Sequence, residues 1–87
     1  MKSDLREERE KIVASLGLDE DESWALNDMF HSAEFEFLFG LDAKQERSNL
    51  VGAITFLTLA QKINQDQAEE LWMLWNKYEA EGLKKNG

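Results

Sequence analysis

The chain has 87 residues, no Cys and no Pro, and eighteen Asp and Glu against ten Lys and Arg, a formal net charge of −8. This length predicts one domain, spanning 1–87, and the lack of Cys removes any disulfide or thiolate–metal framework. The charge balance argues against direct nucleic-acid binding, which needs a basic footprint on phosphate. The longest apolar run, residues 53–60 interrupted by Thr55 and Thr58, falls far short of the ~20 residues that span a bilayer.

Hydrophobic residues make up 43% of the chain, enough for a core. Strong helix formers dominate and β-branched residues are few, so propensity favours an all-α fold. The pattern predicts a compact antiparallel bundle of three to four helices, over about 4–16, 20–39, 43–63 and 65–81. The first eleven residues are charged and carry no apolar stretch of the secretion-signal kind. The expectation is a soluble, cytoplasmic protein.

The first predicted helix has Ser3 as its cap and Gly17 as its left-handed stop. Only its second half, with Ile12, Val13 and Leu16, has a strong apolar face. Glu7, Glu8 and Glu10 do not make a metal site without a facing acidic motif, and Arg6, Arg9 and Lys11 are spaced to neutralise them.

The second helix opens on Asp19 with Glu22 three residues later, a capping-box spacing in which an acid is the cap. Acids in this first turn also suit the helix dipole. Gly40 is the stop. Phe35, Phe37 and Phe39 alternate with Glu34 and Glu36 at a strand period, but no second strand is available to pair with them, and the segment is read as helix.

The third helix is expected to be capped by Asp42, with Gln45 at the box position. Leu50, Ala53, Ile54, Leu57 and Ala60 form one face, which Phe56, Leu59 and Ile63 widen. That breadth predicts the most buried helix of the bundle. Gly52 in its interior costs about 1 kcal/mol against Ala and suggests a close helix crossing. The fourth helix is predicted to start at Asn64, boxed with Gln67 and stapled by Ile63 and Ala68. Its core face is Ala68, Leu71, Trp72, Trp75 and Tyr78, Met73 points away from that face, and Gly82 ends it ahead of a fraying basic tail.

The second helix carries two apolar stripes. At ~100° per residue, Leu26, Met29, Phe30, Ala33, Phe37 and Leu41 share one side. Trp24, His31, Phe35 and Phe39 share the other, with Asp28 among them. Either the helix is central and the first helix covers its back, or the second stripe is a contact surface. No Lys or Arg lies between residues 12 and 43, although a helix selected only for solubility usually carries bases paired with its acids. His31, the only histidine, has Asp28 and Glu34 at three residues' distance on either side. An ion pair or a pH-responsive contact is its expected use, because carboxylate–histidine metal sites need a second copy of the motif.

The sequence contains no nucleophile–base pair, phosphate loop or Cys/His ligand set, so no enzyme, cofactor or metal is expected. The best reading is a small acidic interaction module, a stoichiometric inhibitor or antagonist that occludes a basic surface of a larger protein. The expected contact residues are Trp24, Asp28, His31, Phe35 and Phe39, with Glu20, Asp21 and Glu34. The partner would be a basic protein, such as a nucleic-acid-binding protein or nuclease. Nuclease-immunity proteins, antitoxins and phage or mobile-element inhibitors of host defence share this physical type, but no motif ties the chain to any of them. One alternative is a homodimer or larger homo-oligomer, structural or adaptor in role, formed through the Trp24/Phe35/Phe39 face. A lesser one is a helical transcription-regulating module reading DNA through Lys44, Gln45, Arg47 and Asn49.

Overall fold

The computed structural model describes residues 2–86, with side chains from Leu5 to Gly82. Four helices follow one another: α1 (Lys2–Ser15), α2 (Glu20–Leu38), α3 (Lys44–Leu59) and α4 (Gln65–Asn86). Among the described residues there is no strand, so the alternating Phe-Glu segment of α2 is helical. Among the described residues no helix is long and apolar enough to cross a membrane.

The principal interface joins α2 to α4, and α1 and α3 each pack against both of these helices. Aromatic rings hold it. Phe30 lies 6.1 Å from Trp75 and 5.4 Å from Tyr78, centroid to centroid, and Phe37 lies 5.8 Å from Trp75 with its ring edge-on. Tilted and edge-to-face pairs at these distances add to the gain from burial alone. Leu26, Ala33, Leu71 and Leu74 complete the seam, all essentially inaccessible. Leu41, expected on this face, lies beyond the helix stop and is exposed.

The caps of α2 and α4 form as the spacing predicts. Asp19 Oδ1 accepts from the Glu22 backbone N–H at 2.8 Å, and Glu22 Oε1 accepts from that of Asp19 at 3.2 Å. Asn64 and Gln67 make the same reciprocal pair at 2.8 Å each, and Ile63 is buried beside half-buried Ala68. Gly17 and Gly40 take φ of 70° and 76°, the left-handed turns that stop α1 and α2. Ser3 lies inside α1, which already starts at Lys2, and so does not cap it.

The third helix departs from expectation at both ends. Its N-cap is Ala43, buried, left-handed at φ 53° and without a side-chain bond. Asp42 accepts from the Lys44 N–H instead, and Gln45 donates to Asn49. The helix stops at Leu59, four residues early, because Gln61 turns left-handed at φ 60°. The backbone N–H groups of Lys62 and Ile63 then both reach back to the Leu57 carbonyl. That turn drops Ile63 into the core. The helix is also not the most buried one. Leu50, Ile54 and Leu57 are buried, whereas Phe56 is 63% and Leu59 79% exposed, because α2 and α4 cover one side of α3 and no other described residue covers the opposite side.

Gly82 does not end α4, which runs on to Asn86. A Cβ added at Gly82 would fall 2.8 Å from Phe37 Cγ and closer still to Phe37 Cβ. Glycine is required there by helix contact, not by a turn. Arg9 is also buried, at 6% exposure, and its Nη1 donates to Tyr78 Oη at 3.2 Å. It therefore ties α1 to α4, and among the described residues it makes no ion pair with the neighbouring acids. Burial pushes the Tyr78 hydroxyl up from its ordinary pKa, against the opposing pull of Arg9. Glu8 pairs with Lys77 on the same side.

Replacing Gly82 with Ala should lower stability by about 1–3 kcal/mol, the usual range for overpacking, despite the ~1 kcal/mol helix-propensity gain that Ala brings. Phe37 presents its Cβ and Cγ, atoms too near its backbone to swing aside. Urea denaturation of the variant checks this. A stabilised Gly82→Ala protein would show that the contact is absent.

Candidate interaction surface

The capping box sets where α2 starts, and the aromatic seam sets which way it faces. With Leu26, Phe30, Ala33 and Phe37 fixed inward, the helical period places the second stripe outward. Trp24 is 68%, Phe35 58% and Phe39 69% exposed. The Phe35 and Phe39 rings touch, with centroids 5.0 Å apart and planes tilted by 49°. Asp28 and His31 stand exposed in the same stripe. The helix is central, and yet its back is uncovered: α1 lies along its flank.

The acids of the surface separate into groups with different duties. In the first turn, Asp19 and Glu22 are engaged in the capping box, and Glu22 Oε2 also receives Lys62 from the α3–α4 turn. The Lys62 ammonium has its pKa raised, chiefly by its hydrogen bond to Glu22. Glu20 and Asp21 stay exposed and unpaired among the described residues. Glu34 leaves the expected surface. It is half-buried and lines a small crevice with Leu5, Tyr78 and Gly82 at the α1–α2–α4 junction. At ~100° per residue it points toward α1, about a quarter turn from the outer stripe. His31 makes no ion pair with Asp28 or Glu34 among the described residues.

The stripe is also not free of bases. Arg6 and Arg9 of α1 line an open groove with Trp24, Asn27, Asp28 and His31. Sequence spacing misses this because the bases come from a helix eleven or more residues away. The groove contains unmatched polar atoms: Arg9 Nε and Asn27 Oδ1 are buried without hydrogen-bond partners.

A second acidic cluster, where α2 meets α3, escapes sequence reading altogether. The Glu36 and Glu46 carboxyls approach each other across the two helices. A hydrogen bond to Glu46 open to Glu36 only when it is protonated, with burial and the charges of Glu46 and Asp42, holds the Glu36 pKa above its ordinary value. Glu46 Oε2 is buried with no partner. Glu36 also sits in the last turns of α2, where no base is present and where the helix dipole disfavours negative charge. These acids work against one another and against the helix, unlike those of the first turn.

Among the described residues no group of three or more His, Cys, Asp or Glu is placed to hold a metal ion. The arrangement offers docking chemistry: three exposed rings along one helix, with acids beyond both ends and Arg6 on one flank. The exposed Lys44 and Arg47 of α3 line a shallow cleft with Trp72, Trp75 and Glu79 of α4.

Because Glu36 has a raised pKa, its contribution to stability is present below the ~4.3 of an unfolded Glu and is lost as pH rises through the folded value. Glu36→Gln keeps a donor toward Glu46 and removes the charge. Its melting temperature should exceed that of the parent at pH 7, with the gain vanishing near pH 4. Equal differences at both pH values would rule out the shared proton. Compared with known proteins, the chain matches no family model, no curated protein and no solved structure.

Proposed function

We propose that this protein is a small acidic interaction module that binds a basic protein surface stoichiometrically through the outer face of α2, as an inhibitor or antagonist of the immunity, antitoxin or anti-defence type. The exposure of Trp24, Phe35 and Phe39 carries the proposal. Monomeric proteins expose scattered apolar residues without consequence, whereas aligned aromatic side chains on one helix mark contact surfaces. Trp is among the residues most enriched at binding hot spots.

The acids support a basic partner. Glu20 and Asp21 lie at one end of the stripe and Glu36, Asp42 and Glu46 at the other. The second group brings like charges together around Glu36, and a lysine or arginine from a partner would relieve that crowding. Acids at the rim of an aromatic core steer association more than they add affinity, so binding should weaken with salt. His31 and Asp28 would lie within the contact. Glu34 takes no part, because of its position at the α1–α2–α4 junction.

The test uses two positions on one helix. Phe35→Asp and Trp24→Ala should leave the helical circular dichroism and the melting temperature near those of the parent, and should each weaken partner binding by ~30-fold or more, the size of a hot-spot loss. Phe30→Ala, five residues from Phe35 but facing inward, should instead cost about 3–5 kcal/mol of stability. Affinity capture from the source cell or its host supplies the partner, and titration calorimetry measures the loss. If the Phe35 and Trp24 variants unfold, or bind as the parent does, the outer face is not the contact.

A further inference from the structure

The outer face of α3 is a second unpartnered surface, of different chemistry from that of α2. Residues 48–61 contain no Asp, Glu, Lys or Arg, the longest uncharged stretch in a chain that is 32% charged. Ser48, Gly52, Thr55, Phe56 and Leu59 share the side of the helix opposite Leu50, Ile54 and Leu57, by the 3.6-residue period. All five are exposed.

Gly52 lies at the centre of this face and has no purpose within the molecule. A Cβ built there meets nothing within 4 Å, and its backbone is ordinary helix, with φ negative. Gly82, by contrast, is held by contact with Phe37. A glycine inside a helix weakens it, and its usual use is to let another backbone or ring come close. Among the described residues nothing comes close to Gly52, so the close neighbour would be another molecule.

We infer that α3 is a self-association face, on which two copies of the chain pack with α3 against α3 around a two-fold axis that passes midway between Gly52 and Phe56. Charge selects a second copy as the occupant. Two chains of net charge −8 repel wherever their acids meet, and association through α2 would bring Glu20, Asp21 and Asp28 of both copies together. The α3 face brings no charge to the contact. A basic partner would find nothing there to recognise. The face is also complementary to itself. In an antiparallel crossing, Phe56 of each copy seats over Gly52 of the other, and Leu59 reaches Ser48, an isologous contact of the kind two-fold dimers use. The interface is separate from the one on α2, so a dimer would present two copies of the aromatic stripe to a partner.

The test is sedimentation velocity of the full chain across the micromolar range, at low and high salt. The parent should move from 10.1 kDa toward twice that mass as concentration rises, and more readily in high salt, which screens the repulsion between the two chains. Phe56→Glu should abolish the dimer with the circular dichroism unchanged. Gly52→Ala is the stricter variant. It should raise the melting temperature of the dilute monomer, since the added methyl has room, and weaken dimerisation on the order of 30-fold. Phe35→Asp should dimerise as the parent does, which separates this result from the test of partner binding. The inference is overturned by a parent that stays monomeric at high salt, by a dimer that survives Gly52→Ala and Phe56→Glu, or by one that Phe35→Asp removes.

Discussion

The contact of Phe30 and Phe37 with Trp75 and Tyr78 governs the rest of this structure. It fixes the rotation of α2 about its own axis, and a helix with two apolar stripes has no other way to choose which one to bury. Either stripe of α2 is aromatic enough to fill a core. Only Phe30 and Phe37, spaced with Leu26 and Ala33, match the run of Leu71, Leu74, Trp75 and Tyr78 along α4. Once that pairing is made, the Trp24 stripe must face outward. The buried Arg9 then closes α1 over one flank of the seam through the Tyr78 hydroxyl, and α3 closes the other.

Much of the fold was legible because it is written locally. A capping box is a relation between residues three apart, and two of the three boxes read from the sequence are present in the structure, the one at Asp42 and Gln45 being displaced by the left-handed Ala43. The stops at Gly17 and Gly40 are equally local, since each needs only a positive φ. The two corresponding turns at Ala43 and Gln61 carry no such mark. Neither residue favours the left-handed region, and tertiary burial of Ala43 and Ile63 supplies what propensity does not. The breadth of the apolar face on α3 was visible as well, but width of hydrophobic pattern does not say how much protein is available to cover it.

The two helical glycines show the limit most clearly. From the sequence, Gly52 read as a crossing point and Gly82 as a stop. In the structure Gly82 is where helices touch, against Phe37, and Gly52 faces open space. Nothing in the one-dimensional pattern distinguishes the two, because the distinguishing atom belongs to a residue 45 positions away. The surface follows the same rule. Trp24, Phe35 and Phe39 were readable from helical period, whereas the Arg6 flank, the Glu36–Glu46 pair and the retreat of Glu34 all depend on which helix lies beside which.

The three tryptophans occupy three depths. Trp24 stands mostly in water, Trp72 is half-covered, and Trp75 is 1% exposed with its indole N–H sealed away from any acceptor. Indole emission shifts to shorter wavelength as the ring leaves water, so the folded chain carries its own optical label at each depth. A ligand settling on α2 would change the long-wavelength part of the spectrum alone, and loosening of the α2–α4 seam would change the short-wavelength part. The same indoles that divide inside from outside thereby let occupancy of the surface and integrity of the core be followed separately in one unlabelled sample.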